Sequence, residues 1–126
     1  VALTLTITDD DIREAAGFLG GLDDHLPSGE TDYSKYIDEA LDQVKDDLQN
    51  DGLDPDDIDA SDTTLKYAVI WKATAILFYG MMRAPGDVWE AHAKRADDRY
   101  ASKYRRATIT LEDESQVKVG QGRATR

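Results

Sequence analysis

The chain of 126 residues carries 26 Asp or Glu against 15 Lys or Arg, a formal net charge of −11, and contains no cysteine. The length fits one domain with a modest core, and the missing cysteine excludes disulfides, thiolate catalysis and cysteine-ligated zinc. Charge divides along the chain: residues 1–62 hold nineteen acids against Arg13, Lys35 and Lys45, and residues 63–126 hold seven against twelve bases, a pattern that presents different faces to different charged neighbours.

The alternation of Val1, Leu3, Leu5 and Ile7 with small residues has the period of a strand or extended arm. It carries no basic region, so a secretory signal is not expected. Thr8 reads as an N-cap with Asp9, Asp10 and Asp11 at the positive end of a helix dipole, predicting a helix to about Leu19 that Gly20 and Gly21 end. Residues 20–31 read as a loop anchored by Leu22 and Leu26.

Asp32 is placed to cap a second helix, in which Tyr33, Ile37, Ala40, Leu41, Val44 and Leu48 recur at three- and four-residue steps and Asp38, Glu39, Asp42, Asp46 and Asp47 form the outer face. Asn50 to Gly52 ends it. An acidic connector over residues 53–62 follows, with Pro55 opening a short helical turn and Leu53 and Ile58 buried. Residues 63–83 are apolar almost all the way round, with Tyr67, Ile70, Trp71, Phe78 and Met82 on one side, which places this third helix at the centre of a bundle. At most 16 residues long (67–82) and broken by Lys72 and Thr74, its apolar stretch falls short of the ~20 residues of a membrane span, and no membrane partner is expected.

Ala84, Pro85 and Gly86 break that helix, and residues 87–106 show Val88, Trp89, Ala93, Ala96, Tyr100 and Tyr104 as an apolar stripe. The polar face of this fourth helix turns basic with Lys94, Arg95, Arg99, Lys103, Arg105 and Arg106, which suits the negative pole of the dipole. Thr108, Ile109, Thr110 and Leu111, then a polar turn, then Gln116, Val117, Lys118 and Val119 give a β-hairpin pattern. Residues 120–126 resemble a flexible basic tail. The expected fold is therefore all-α and four-helix bundle-like over residues 1–106, with a small C-terminal β-hairpin and docking tail over residues 107–126.

Chemistry-bearing patterns are sparse. If Gly52 took the turning position of a calcium loop, Gln49 would be a weak ligand and Ile58 would replace the closing Glu, so the acidic connector reads as solvated surface. Glu90 and His92, two apart on a helix, point in different directions, and His92 reads as a residue packed partly against its neighbours; His25 reads as an exposed loop residue. No nucleophile elbow, phosphate-cradling glycine motif or paired catalytic acids occur. Neither enzymatic activity, a metal nor a cofactor is expected.

The layout carries a resemblance. A short helix, an acidic helix, a long central helix from Leu65 to Tyr79, a charged helix opened by Val88, Trp89 and Glu90, and a tail with Arg123 and Arg126 resemble the head-tail connector, or adaptor, proteins of long-tailed double-stranded DNA viruses. The resemblance implies a structural virion protein: a homo-oligomeric, twelvefold ring between the portal protein and a downstream neck or tail protein. The ring would continue a channel through which DNA passes without sequence-specific contact. It further implies portal docking through C-terminal elements, here Thr108, Ile109, Thr110, Leu111, Val117, Lys118, Val119, Arg123 and Arg126. Lys94, Arg95, Arg99, Lys103, Arg105 and Arg106 become channel-proximal or subunit contacts. With apolar anchors only at Val117 and Val119, the tail is expected to gain little by packing on its own domain. The Asp-rich surface fits a virus of a halophilic archaeon, since acidic surfaces hold water at high salt, and equally an ordinary acidic cytosolic protein. The alternative is a small acidic helical regulatory or nucleic-acid-associated protein using residues 94–106.

Overall fold

Residues 5–17, Leu22, Leu26 and residues 30–119 are described by the computed structural model. They form four α-helices, α1 (Asp9–Ala15), α2 (Ser34–Asn50), α3 (Lys66–Met81) and α4 (Val88–Arg106), followed by an antiparallel pair of strands, β1 (Thr108–Thr110) and β2 (Gln116–Lys118). The chain is thus mostly helical, and α3 packs against α1, α2 and α4. The composition of α3 explains its place: Ala68, Val69, Ile70, Ala73, Ala75, Leu77 and Phe78 are all buried, and the one buried polar side chain, Thr74, donates its hydroxyl to the Ile70 carbonyl at 2.8 Å, so no polar group is left unpaired there.

Local chemistry sets the boundaries. Thr8 and Asp11 form a reciprocal capping box at the start of α1. The helix stops at Ala15, before the expected end, and Gly17 turns it: a Cβ at Gly17 would lie 3.1 Å from the Glu14 carbonyl oxygen. Expectations for Val1, Leu3, Leu19, Gly20, Gly21 and His25 fall outside the described residues. Leu5 and Ile7 are half-buried against the core and Thr6 and Thr8 exposed, so the alternation holds without regular strand structure. Leu22 is buried and Leu26 packs against the same core.

Asp32 does not cap α2. Its carboxylate closes a turn by accepting from the Ser34 N–H and hydroxyl, which holds its pKa below the ordinary carboxylate value, and Tyr33 takes the cap position. At the other end Gly52, with φ +83°, closes a Schellman motif: the Leu53 N–H reaches the Leu48 carbonyl and the Gly52 N–H that of Gln49. Pro55 opens a 3-10 turn over Pro55–Asp57, and Leu53 and Ile58 are buried.

The helix α3 is shorter at both ends than its composition predicts, because Asp62 draws residues 62–65 into a turn and Met82 is extended. Pro85 and Gly86, with φ +81°, then occupy the centre of a turn closed by the Asp87 N–H on the Ala84 carbonyl, as a type II turn requires. Asp87 caps α4 through the Glu90 N–H. Three aromatic or apolar residues expected in the interior stand outside it: Tyr67 is 63% exposed, Val88 59% and Met82 36%. Each sits off its helix's buried arc or beyond the helix end.

Candidate partner-binding surface

The hairpin proposed for docking is anchored on both sides. Ile109 pairs with Val117, and Thr108 and Thr110 face Lys118 and Gln116 across β2. The other edge of β1 is taken by the acidic connector: Asp59 N–H donates to the Thr110 carbonyl at 3.0 Å, Glu112 N–H donates to the Asp57 carbonyl at 2.8 Å, and Ile58 bridges to Leu111. Asp62 completes the join, accepting from the Thr110 N–H with one oxygen and from the Thr64 N–H and hydroxyl with the other. The connector read as solvated acid is therefore also the seat of the hairpin.

That seat ties the hairpin to its own domain, whereas the tail of residues 120–126, expected to gain little by such packing, lies outside the described residues. Ile109, Leu111 and Val119 are 0%, 4% and 1% exposed and belong to the same buried cluster as the helices, and the Val119 N–H donates to the Ala107 carbonyl. Their apolar surface is already spent on this chain, so it is not free for a partner. Thr108 and Lys118 are exposed, and Thr110 and Val117 half-buried. Arg123 and Arg126 lie outside the described residues.

The basic residues of α4 divide into two groups. The buried arc is Ala93, Ala96, Tyr100 and Tyr104. At 3.6 residues per turn, Arg95, Arg99, Lys103 and Arg106 share the flank on one side of that arc, and no carboxylate of α4 lies among them. Lys94 and Arg105 lie on the other side with Glu90, Asp97 and Asp98, and Lys94 pairs with Glu90 at 3.5 Å. On the first flank the Arg99 guanidinium stacks 4.7 Å from the Trp71 ring centre. There it lines a cleft of about 370 Å³ with Tyr67, Ile70 and Trp71, and with Asp11 and Glu14 from α1. His92 packs beside Phe78 and Trp89, with ring centres 5.7 and 5.9 Å away, as expected of a helix residue resting on its neighbours.

On the second flank α4 meets α2. The Tyr100 hydroxyl donates to Asp47 and the Tyr104 hydroxyl to Asp51, and burial, followed by these carboxylates, pushes both phenols well above their ordinary pKa. Lys72 lies 5.0 Å over the Tyr100 ring and pairs with Asp97 at 3.2 Å. Arg105 lines a second cleft there, of about 310 Å³, with Asp47, Asn50 and Asp51. These tyrosines, read as a core stripe, are also the polar link between two helices.

Among the described residues no group of three or more His, Asp or Glu is placed to hold a metal ion, and no helix is long and apolar enough to cross a membrane. Comparison with protein-family models, curated proteins and solved structures finds no match to this chain.

Proposed function

We propose that this chain is a structural protein of a virion neck. In this reading its four helices form a bundle-like adaptor that assembles as a ring, twelvefold as in the family it resembles, between a portal and the next neck or tail protein, and the ring continues the DNA channel. The observation that carries the reading is the sorting of exposed charge: a strongly acidic molecule keeps Arg95, Arg99, Lys103 and Arg106 on one continuous flank of α4. A basic wall of this kind stays near passing DNA, while the net charge of −11 prevents the free protein from gripping it. The portal-facing elements are the exposed Thr108 and Lys118 with the half-buried Thr110 and Val117, together with the tail bearing Arg123 and Arg126. Ile109, Leu111 and Val119 serve by holding the hairpin in place.

The test is a mass measurement of the purified protein with and without a portal ring, repeated with residues 120–126 deleted. Full-length protein adding a ring of mass to the portal, and a folded deletion variant that no longer does, is the expected pair of results. Infectious particles assembled normally with the deletion variant would remove the tail from the docking role, and a chain that never joins a portal would remove the neck reading.

A second reading, a nucleic-acid-associated regulatory protein, draws on the same flank because no carboxylate of α4 interrupts it. It requires duplex DNA binding by the isolated protein that weakens steeply between two salt concentrations. The neck reading requires none.

A further inference from the structure

Two charged helix faces are left without ion-pair partners among the described residues. On α2, Asp38, Asp42 and Asp46 recur every four residues and share an exposed face with Glu39, turned away from the buried Ala40, Val44 and Leu48. On α4, Arg95, Lys103 and Arg106 form the basic flank with Arg99. The salt bridges found engage Arg13, Lys35, Lys72 and Lys94 instead. The two faces do not meet within one copy. The helix α2 touches α4 through Asp47 and Asp51, on the flank of Tyr104 and Arg105, whereas Arg99 leaves α4 on the flank that faces Trp71 and α1.

The faces match in extent. With about 1.5 Å of rise per residue, Asp38 to Asp46 spans about 12 Å and Arg95 to Arg106 about 16 Å. The basic flank presents four like charges at helical spacing, and the acidic face presents four with Lys35 and Lys45 on the same side of α2.

We infer that the acidic face of α2 docks on the basic flank of α4 in a second copy of this chain. The two contact surfaces differ, so the contact is heterologous, and its repetition closes into a ring when the rotation between copies allows. The inference rests on the ring reading for what the contact builds, not for the contact itself.

The opposing term is the net charge of −11 on every copy. Its reach is set by salt: the Debye length is about 30 Å at 0.01 M and about 8 Å at 0.15 M. At very low salt the whole molecule repels its neighbour; at intermediate salt that repulsion is screened while pairs at contact distance persist; at high salt the pairs weaken as well. Self-association therefore passes through a maximum as salt rises. Exposed ion pairs are individually weak, so free copies associate loosely, and a surface that gathers many copies strengthens the contact by raising their effective concentration.

The experiment uses two triple variants of the full chain, Asp38→Lys with Asp42→Lys and Asp46→Lys, and Arg95→Glu with Lys103→Glu and Arg106→Glu. Arg99 is kept because it packs on Trp71. Folding is checked by circular dichroism and association by sedimentation over a concentration series at three salt levels. Wild type is expected to self-associate most at the intermediate level, and each variant alone to do so roughly tenfold more weakly. An equal mixture of the two recovers the wild-type level, because every contact between unlike variants again sets acid on base. The inference is overturned if each variant alone associates as wild type does, if the mixture does no better than its parts, or if wild type stays monomeric throughout. The neck reading fails separately: charge-swapped copies that assemble but never join a portal leave this contact standing, and portal joining that neither variant disturbs removes the contact and leaves that reading.

Discussion

The Tyr100 hydroxyl of α4 donates to the Asp47 carboxylate of α2, and one helical turn later Tyr104 repeats the bond to Asp51. The two phenol rings lie against each other, tilted, with centres 5.5 Å apart, so the four groups act as one polar seam between the two helices. A hydrogen bond to a charged group contributes roughly 1.5–3 kcal/mol. The carboxylates keep partial access to water, which takes over when the phenol oxygen is removed. Tyr100→Phe and Tyr104→Phe are each expected to cost about 1 kcal/mol of unfolding free energy in urea, and the double variant to depart from the sum because the rings touch. A fully additive pair would show the seam to be two separate bonds.

The same seam is expected to weaken the fold at high pH. Burial first, and then the facing carboxylates, raise the phenol pKa of Tyr100 and Tyr104 above the ordinary value of 10.0, and burial with the Glu30 partner does so for Tyr36. A group whose pKa is raised in the folded state stabilises it fully below its unfolded pKa and loses that contribution as pH climbs. Stability should therefore be flat up to about pH 10 and fall above it, as only the unfolded chain releases these protons. Tyrosinate absorbance followed with circular dichroism checks this: these phenols should ionise together with loss of helix. Their ionisation in a fully helical protein would contradict it.

Much of the local structure is legible in the residues themselves. Thr8 with Asp11, Gly52, and Pro85-Gly86-Asp87 announce helix ends through backbone requirements that three or four neighbouring residues satisfy. The division of the α4 bases is legible too, because a period of 3.6 separates Arg95, Arg99, Lys103 and Arg106 from Lys94 and Arg105. What the chain does not announce is the partner of a carboxylate. Asp9, Asp47, Asp51 and Asp62 look like any other members of an acidic surface, yet each accepts a hydrogen bond from a residue between 24 and 53 positions away. Such partners exist only once helices have packed. Propensity also overextends α3, whose apolar residues continue past the points where Asp62 and the extended Met82 stop it.

Asp62 is the carboxylate with the most to lose. It holds the Thr64 turn ahead of α3 with one oxygen and the Thr110 N–H of β1 with the other. Asp62→Ala leaves a half-buried strand amide without its acceptor and releases the turn ahead of α3 at once, and a cost of about 2 kcal/mol is expected from the lost charged hydrogen bonds. Amide exchange should localise it: protection of Thr110 drops strongly while Val69 and Ala73 in α3 change only with global stability. Uniform loss of protection would instead make Asp62 a determinant of the whole fold. Asp62→Asn retains an acceptor and should recover part of the loss.

Gly86 tests the turn that aims α4. Its φ of +81° lies where a Cβ is disfavoured, although no atom lies within 4 Å of the Cβ position, so the cost of a side chain there is conformational and not steric crowding by neighbours. Gly86→Ala should therefore destabilise by about 1 kcal/mol, the left-handed backbone cost offset in part by lower entropy of the unfolded chain. Gly52, at φ +83° with equally open surroundings, should respond alike. Denaturant midpoints should shift with unchanged slope, since neither variant alters the surface exposed on unfolding. If Gly86→Ala costs much more than Gly52→Ala, the α3–α4 turn must relax by moving Asp87, whose carboxylate accepts from the Arg83, Ala84 and Glu90 N–H groups and is held below the ordinary pKa by them. The two effects are then separable by pH. A depressed carboxylate stabilises above its unfolded value of 3.8 and loses that contribution below it, so a variant that has already displaced Asp87 should show less acid destabilisation than wild type.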